Sequence, residues 1–218
     1  MSFTIRRAAV ALVLTGCTLG ALTACFPLAV GGAVMGGMVA ADRRTTGTVV
    51  EDEGIELRSA SRIREALGER GHVNVASYNR QALLTGEVPT AQDRQLVEQI
   101  VSGVDNVRHI VNELAVMGNS TLQQRSSDAL VTGRVKASLV DDKNLFANAF
   151  KIVTERGTTY VMGRVTAREA RIATEVISGT SGVQKVVRIL ETISEEELAR
   201  MMAPPPNQVG APKQDAGQ

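Results

Sequence analysis

ALLTGEVPTAQDRQLVEQIVSGVDNVRHIVNEL (residues 82–114) and TYVMGRVTAREARIATEVISGTSGVQKVVRIL (residues 159–190) are two versions of one pattern. ALLTGEV and TYVMGRV superpose with a shift of 77 residues, and each reads as an apolar strand ending in Gly-x-Val. A stretch with helical period follows in both, ends near Ser-Gly, and gives way to Val-x-x-(Ile/Val)-Val. The shift falls to 76 at Gly103 and Gly179, so one residue is lost at the helix end.

The repeat extends upstream. RSASRIREALGER (58–70) pairs with SDALVTGRVKASLVDD (127–142). Ala60, Ile63 and Leu67 in the first, and Val131, Val135 and Leu139 in the second, lie at helical spacing on one apolar face. VNVASY (73–78) and AFKIVTE (149–155) then alternate as strands do. Hairpin turns are expected at Tyr78-Asn79-Arg80 and at Glu155-Arg156-Gly157-Thr158, where Asn and Gly tolerate positive φ. Thr166 with Glu169 forms a capping box, Thr90 with Asp93 a looser one, and Gly103 and Gly179 sit where a helix end would take a left-handed residue. Each copy therefore reads helix, strand, strand, helix, strand. The fold class is α+β: two tandem αββαβ domains, each a small sheet with two helices on one face. Near 60 residues a copy is marginal alone, so packing of one copy on the other would add buried area. Gly86 and Gly163, inside strands, mark a bulge or a close backbone approach.

The front of the chain is of another kind. Arg6 and Arg7 precede an apolar stretch and a small-residue site, which is the order of a secretory signal. LTGC ends at Cys17 and LTAC at Cys25, and both fit the four-residue site at which bacterial lipoproteins are cut and acylated. Six residues separate Arg7 from Leu14, fewer than the about 7–15 apolar residues a signal core needs. Fourteen separate Arg7 from Leu22, so length favours Cys25 as the lipidated residue. Pro27 and Gly31, Gly32, Gly36 and Gly37 interrupt the apolar run after it, which reads as a tether rather than a membrane span. Cutting before Cys25 removes two arginines and takes the net charge from +1 to −1. No basic field remains to attract nucleic acid. The expected organisation is a lipoprotein signal peptide (1–24), a lipidated flexible tether (25–54), a first domain (55–117), a linker (118–125), a second domain (126–194), and a short helix followed by a Pro-rich disordered tail (195–218).

Acylation site, Gly-rich tether, the stretch DRRTTGTVVEDEGIELR (42–58) and two αββαβ repeats together resemble the outer-membrane lipoproteins with two BON domains. The resemblance covers the chain from the tether to about Ile193. It implies a protein on the periplasmic side of the outer membrane that supports envelope integrity and binds anionic phospholipid through its second BON domain. It also implies contact with the outer-membrane assembly machinery or with division-site proteins. Phe26 agrees with outer-membrane sorting, since the usual retention signal there is Asp. The family's lipid-facing element is the first helix of the second copy, with a Trp that enters the bilayer. That position corresponds to Leu130 here, in a chain without tryptophan. Leu130, with Arg134 and Lys136 for anionic headgroups, is the expected phospholipid contact. The alternative reading is an adaptor that binds proteins or peptidoglycan and touches the membrane only through its acyl anchor.

No catalytic residues are expected, nor any metal or cofactor. His72 and His109 lack Cys or carboxylate partners at metal spacing, and His109 reads as an outward strand residue. Glu51, Asp52 and Glu53 read as a solvated acidic run, Asp141 and Asp142 as a loop after a helix, and Ser126 and Ser127 have no adjacent base. Ser194 followed by Glu195–Glu197 opens a short helix running to about Met202.

Overall fold

A computed structural model describes residues 42–202. Cys25, the signal and most of the tether, and the tail from residue 203 lie outside the described residues. The elements follow in the order α1 (Thr46–Leu67), β1 (His72–Tyr78), β2 (Gln81–Val88), α2 (Ala91–Ser102), β3 (His109–Asn112), β4 (Ala115–Val116), α3 (Leu122–Asp141), a 3-10 turn (Ala147–Ala149), β5 (Phe150–Glu155), β6 (Thr158–Thr166), α4 (Ala167–Ser178), β7 (Lys185–Ile193) and α5 (Glu195–Met202).

Each copy is αββαβ. β2 lies at the centre of the first sheet, antiparallel to β1 and parallel to β3 and β4. β6 occupies the same place between β5 and β7 in the second. The helices of each copy cover one face. Ile63, Leu67, Val97 and Val101 pack on Val75, Ala82, Leu84 and Val88. In the second copy Val131, Val135, Leu139, Ala173 and Ile177 pack on Ile152, Val161 and Val165. The other faces of the two sheets meet. Ala76, Tyr78 and Leu83 of the first form one buried cluster with Tyr160, Met162 and Ile189 of the second. The two copies thus form four layers, with helices outside and two sheets within. Burial on both faces explains why the central strands read as continuous apolar runs, Leu83-Leu84 and Tyr160-Val161-Met162, where one-sided strands alternate.

Both hairpins are two-residue turns with positive φ at each central position: 52° and 65° at Asn79 and Arg80, 53° and 73° at Arg156 and Gly157. One buried helix carboxylate holds each turn. Asp52 of α1 accepts from the backbone N–H of Asn79 (2.8 Å) and Arg80 (2.7 Å) and from the Ser77 hydroxyl (2.7 Å). Asp128 of α3 accepts from the N–H of Arg156 (2.8 Å) and Gly157 (3.0 Å). Asp52 is therefore not part of a solvated acidic run. It is 1 % exposed and also pairs with Arg44 at 2.8 Å.

That anchoring corrects two boundaries. The tether drawn to residue 54 is helical from Thr46, because Thr45 caps the helix and Asp52 ties its first turns to the hairpin. The linker drawn over 118–125 is helical from Leu122, because Thr121 and Gln124 form a full capping box. The boxes at Thr166–Glu169 and Thr90–Asp93 form as the spacing predicts, the second through its Thr side chain. Ser194 accepts from Glu197 N–H at the start of α5.

Gly103 and Gly179 are not left-handed; their φ values are −84° and −78°. Each N–H still bonds four residues back, to Gln99 and Glu175, so each closes the last turn of its helix. The positive φ falls three residues later, at Asn106 (69°) and Gly182 (98°). Gly86 has φ +105°, and a Cβ there would lie 2.0 Å from the His72 carbonyl oxygen. A Cβ on Gly163 would lie 2.5 Å from the Ala149 carbonyl oxygen. The crowding atom belongs to β1 for Gly86 and to the end of the 3-10 turn before β5 for Gly163, not to the covering helix. β3 and β4 are separate strands because the ladder lapses opposite Thr85 and Gly86, while β7 runs unbroken past Gly163.

Candidate functional site

Helix α3 positions the expected contact residues. Asp128, Val131, Val135 and Leu139 take its inner side. The opposite side carries Leu122, Leu130 and Val140, which are 76 %, 63 % and 68 % exposed. Ser126, Gly133 and Ala137 lie between them, all exposed, and exposed Asp141 follows Val140 at the helix end. Arg134 stands one turn after Leu130, and its Nη1 donates to the Ser181 carbonyl at 3.2 Å, which steers the guanidinium to one flank. Lys136 is exposed on the other flank. A groove of about 480 Å³ runs beside the helix between Gln124, Ser127, Arg134, Arg156 and Gln184. Phe146, 45 % exposed, follows the C-terminal end of α3.

Exposed apolar residues also occur on α1, where Val50 and Leu57 are 64 % and 73 % exposed. Exposed Glu53 lies between them, one turn from each. The nearest charge to the apolar residues differs: Glu53 lies between the pair on α1, and Arg134 stands one turn after Leu130 on α3. Among the described residues no helix is long and apolar enough to cross a membrane.

The fold also gathers residues that lie far apart in the chain. His72 and Glu87 face each other in the β1–β2 ladder, with Nδ1 3.3 Å from Oε2. Glu155, at the end of β5, joins them from the second copy. His72 thus has carboxylate partners, contrary to the reading from spacing, which could not see across a ladder. Glu87 is fully buried. It accepts from Ser120 N–H at 3.0 Å and faces Arg156 at 3.5 Å. Burial raises its carboxyl pKa, but the Ser120 bonds, His72 and Arg156 outweigh that and hold it below the ordinary range. Glu155 goes the other way: burial, then the charges of Glu87 and Asp128, push it up to about 7. His109 is exposed on β3, as expected for an outward strand residue.

Beside the hairpins, Arg43 is buried against the second copy. Its Nη2 donates to Glu169 Oε1 at 2.6 Å and its Nη1 to Oε2 at 2.8 Å and to the Arg164 carbonyl at 2.8 Å. Both side chains are 1 % exposed. Arg44 stacks over the Tyr78 ring at 4.3 Å. The sequence offered one hint to this clamp: Glu169 was already needed as the third residue of a capping box, and Arg43 completes its coordination.

Two αββαβ modules stand back to back, and the outer helix of the second carries exposed apolar and cationic side chains. The BON domain family model matches residues 55–118 and 127–192, and the chain belongs to that family. It is 32 % identical over 181 residues to the outer membrane lipoprotein DolP of Haemophilus influenzae, covering 82 % of this chain and 93 % of that one. It is 30 % identical over 154 residues to a 21 kDa hemolysin of Actinobacillus pleuropneumoniae, covering 70 % and 79 %. A solved structure of CdsD, a structural protein of the type III secretion system of Chlamydia trachomatis, aligns over 67 % of this chain and 98 % of its own at 13 % identity. Its TM-score of 0.29 carries no weight for the fold. The chain is a DolP-like outer-membrane lipoprotein with two BON domains.

Proposed function

We propose that this protein is held at the periplasmic face of the outer membrane by acyl groups on Cys25, and that the outer side of α3 docks on anionic phospholipid in support of envelope integrity. The observation that carries the reading is Leu130, 63 % exposed beside Arg134 on the side of α3 turned away from its own sheet. Leu122 and Val140 extend the apolar crest, and Arg134 and Lys136 supply cations at its flanks. Each cation contributes about 1 kcal/mol near an anionic surface. Inserting Leu130 adds roughly 1.5–3 kcal/mol if it is fully buried. Leucine lacks the amphipathic ring of a tryptophan, so binding rests on the cations as much as on insertion. α1 is the poorer surface because Glu53 would be repelled by the same lipid.

The test is sedimentation of the full chain, carrying Cys25→Ser to prevent acylation, with vesicles of phosphatidylglycerol and phosphatidylethanolamine. The wild-type face pellets with the anionic vesicles, and Leu130→Glu or paired Arg134→Ala and Lys136→Ala lowers the partition at least about tenfold. An unbound wild type, with crosslinks to envelope proteins in its place, would support the adaptor reading.

A further inference from the structure

We propose that His72, Glu87 and Glu155 form a site for a divalent transition-metal cation of the zinc class, placed across the seam between the two BON domains. One imidazole nitrogen and two carboxylates bring their donor atoms within 4.8 Å of one another. Tetrahedral zinc, bonded at about 2.0–2.2 Å, sets its donors roughly 3.3 Å apart. That is the separation found between His72 Nδ1 and Glu87 Oε2, 3.3 Å. His72 Nδ1 is shielded from solvent, and its approach to Glu87 Oε2 lacks the geometry of a hydrogen bond. The donors come from three strands of two sheets, so their approach is not a by-product of one turn or one helix.

The surroundings support a cation. Asp128 and Glu155 line one cavity of about 410 Å³ together with His72, Asn74 and Thr132, and the buried Glu87 adjoins it through His72 and Glu155. The Ser120 N–H on Glu87 is the kind of outer contact that fixes a ligand carboxylate. Arg125 and Arg156 limit the excess negative charge; Arg156 meets Glu87 through Oε1, while Oε2, which accepts from the Ser120 N–H, keeps a second lone pair toward His72 for the metal. Three protein donors leave a fourth position, open to the cavity, for water. Such an ion would bind β1 and β2 of the first domain to β5 of the second, and so stiffen the joint beneath α3.

The experiment titrates zinc chloride into the full chain, stripped with EDTA and carrying Cys17→Ser and Cys25→Ser so that thiols do not compete. Calorimetry and thermal melting are read together. One zinc per chain and an EDTA-reversible rise in Tm are expected, with affinity at least about tenfold weaker in Glu155→Gln and in His72→Ala. His109→Ala should bind as the parent does. Glu155→Gln keeps the side chain's size, so it decides the matter if His72→Ala is poorly folded. No binding by the parent overturns the site and leaves His72 as a plain ion-pair partner of Glu87. Binding that both variants retain means an adventitious ion elsewhere and overturns it equally.

Discussion

At the scale of single residues, packing distances decide more than residue type. Gly86 combines positive φ with a carbonyl oxygen 2.0 Å from where a Cβ would stand. Gly86→Ala must therefore push β1 away or distort β2. We expect a loss of roughly 2–4 kcal/mol, in the upper tail of point substitutions, read as a fall in urea midpoint at unchanged slope. Gly163 lacks the positive φ, so Gly163→Ala should cost less, roughly 1–3 kcal/mol, through the contact with Ala149 O alone. The reverse ranking would mean that backbone conformation is not what Gly86 supplies. Both glycines stood out in the sequence as interruptions of apolar strands. Their reason did not, because the crowding atom is a carbonyl oxygen of β1 or of the turn leading into β5, and only the register brings it near.

At the scale of elements, the two copies solve one problem alike. A two-residue hairpin with positive φ at both positions leaves two backbone N–H groups to be satisfied, and an aspartate from the preceding helix accepts both. Removing it strands buried donors, at about 1–3 kcal/mol each way. Asp52→Ala should lower Tm more than Asp128→Ala, because Asp52 also accepts from Ser77 and pairs with Arg44. Equal losses in thermal melts would show that the extra bonds contribute nothing. The strand and helix order was legible from periodicity, and so were the turns. The starts of α1 and α3 were not: their first turns lack an apolar period, and their stability comes from caps and from an aspartate whose partners lie about 26 residues ahead. The α3 face was legible only as a stripe. Exposure at Leu130, and its contrast with the Glu53-flanked stripe of α1, needed the packed helix.

At the scale of the whole molecule, the copies are joined by the sheet–sheet cluster and by polar contacts around it, the Arg43–Glu169 pair the most buried among them. Met162 is fully buried in the cluster. Met162→Glu places a carboxylate between two apolar sheets. We expect it to split a single urea transition into two when followed by circular dichroism; a single transition of undiminished midpoint would deny that the sheets stabilise each other. The ion pair adds a dependence on pH. Burial alone would raise the Glu169 pKa, but the Arg43 guanidinium and the Thr166 N–H outweigh it and hold the carboxyl below its ordinary value. The folded state therefore binds that proton less readily than the unfolded state. Its contribution is complete above about pH 5 and is lost as pH falls through the depressed folded value. Glu169→Gln should lower stability at pH 7 by about 3–5 kcal/mol, the usual result of stranding one member of a buried pair, and flatten the acid side of the stability profile. An unchanged profile would assign the acid sensitivity to other carboxylates.

The amino-acid order by itself determined the repeat, the αββαβ succession, the hairpin sites and the caps at Thr90, Thr166 and Ser194, because each depends on period or on spacing within a few residues. Only the tertiary structure decided that the sheets meet face to face, that Arg43 plugs into the second domain, and that His72 faces Glu87 and Glu155. Those contacts join residues 15 to 126 positions apart in the chain. No local pattern encodes them, since their energy arises only when two buried faces exclude water together.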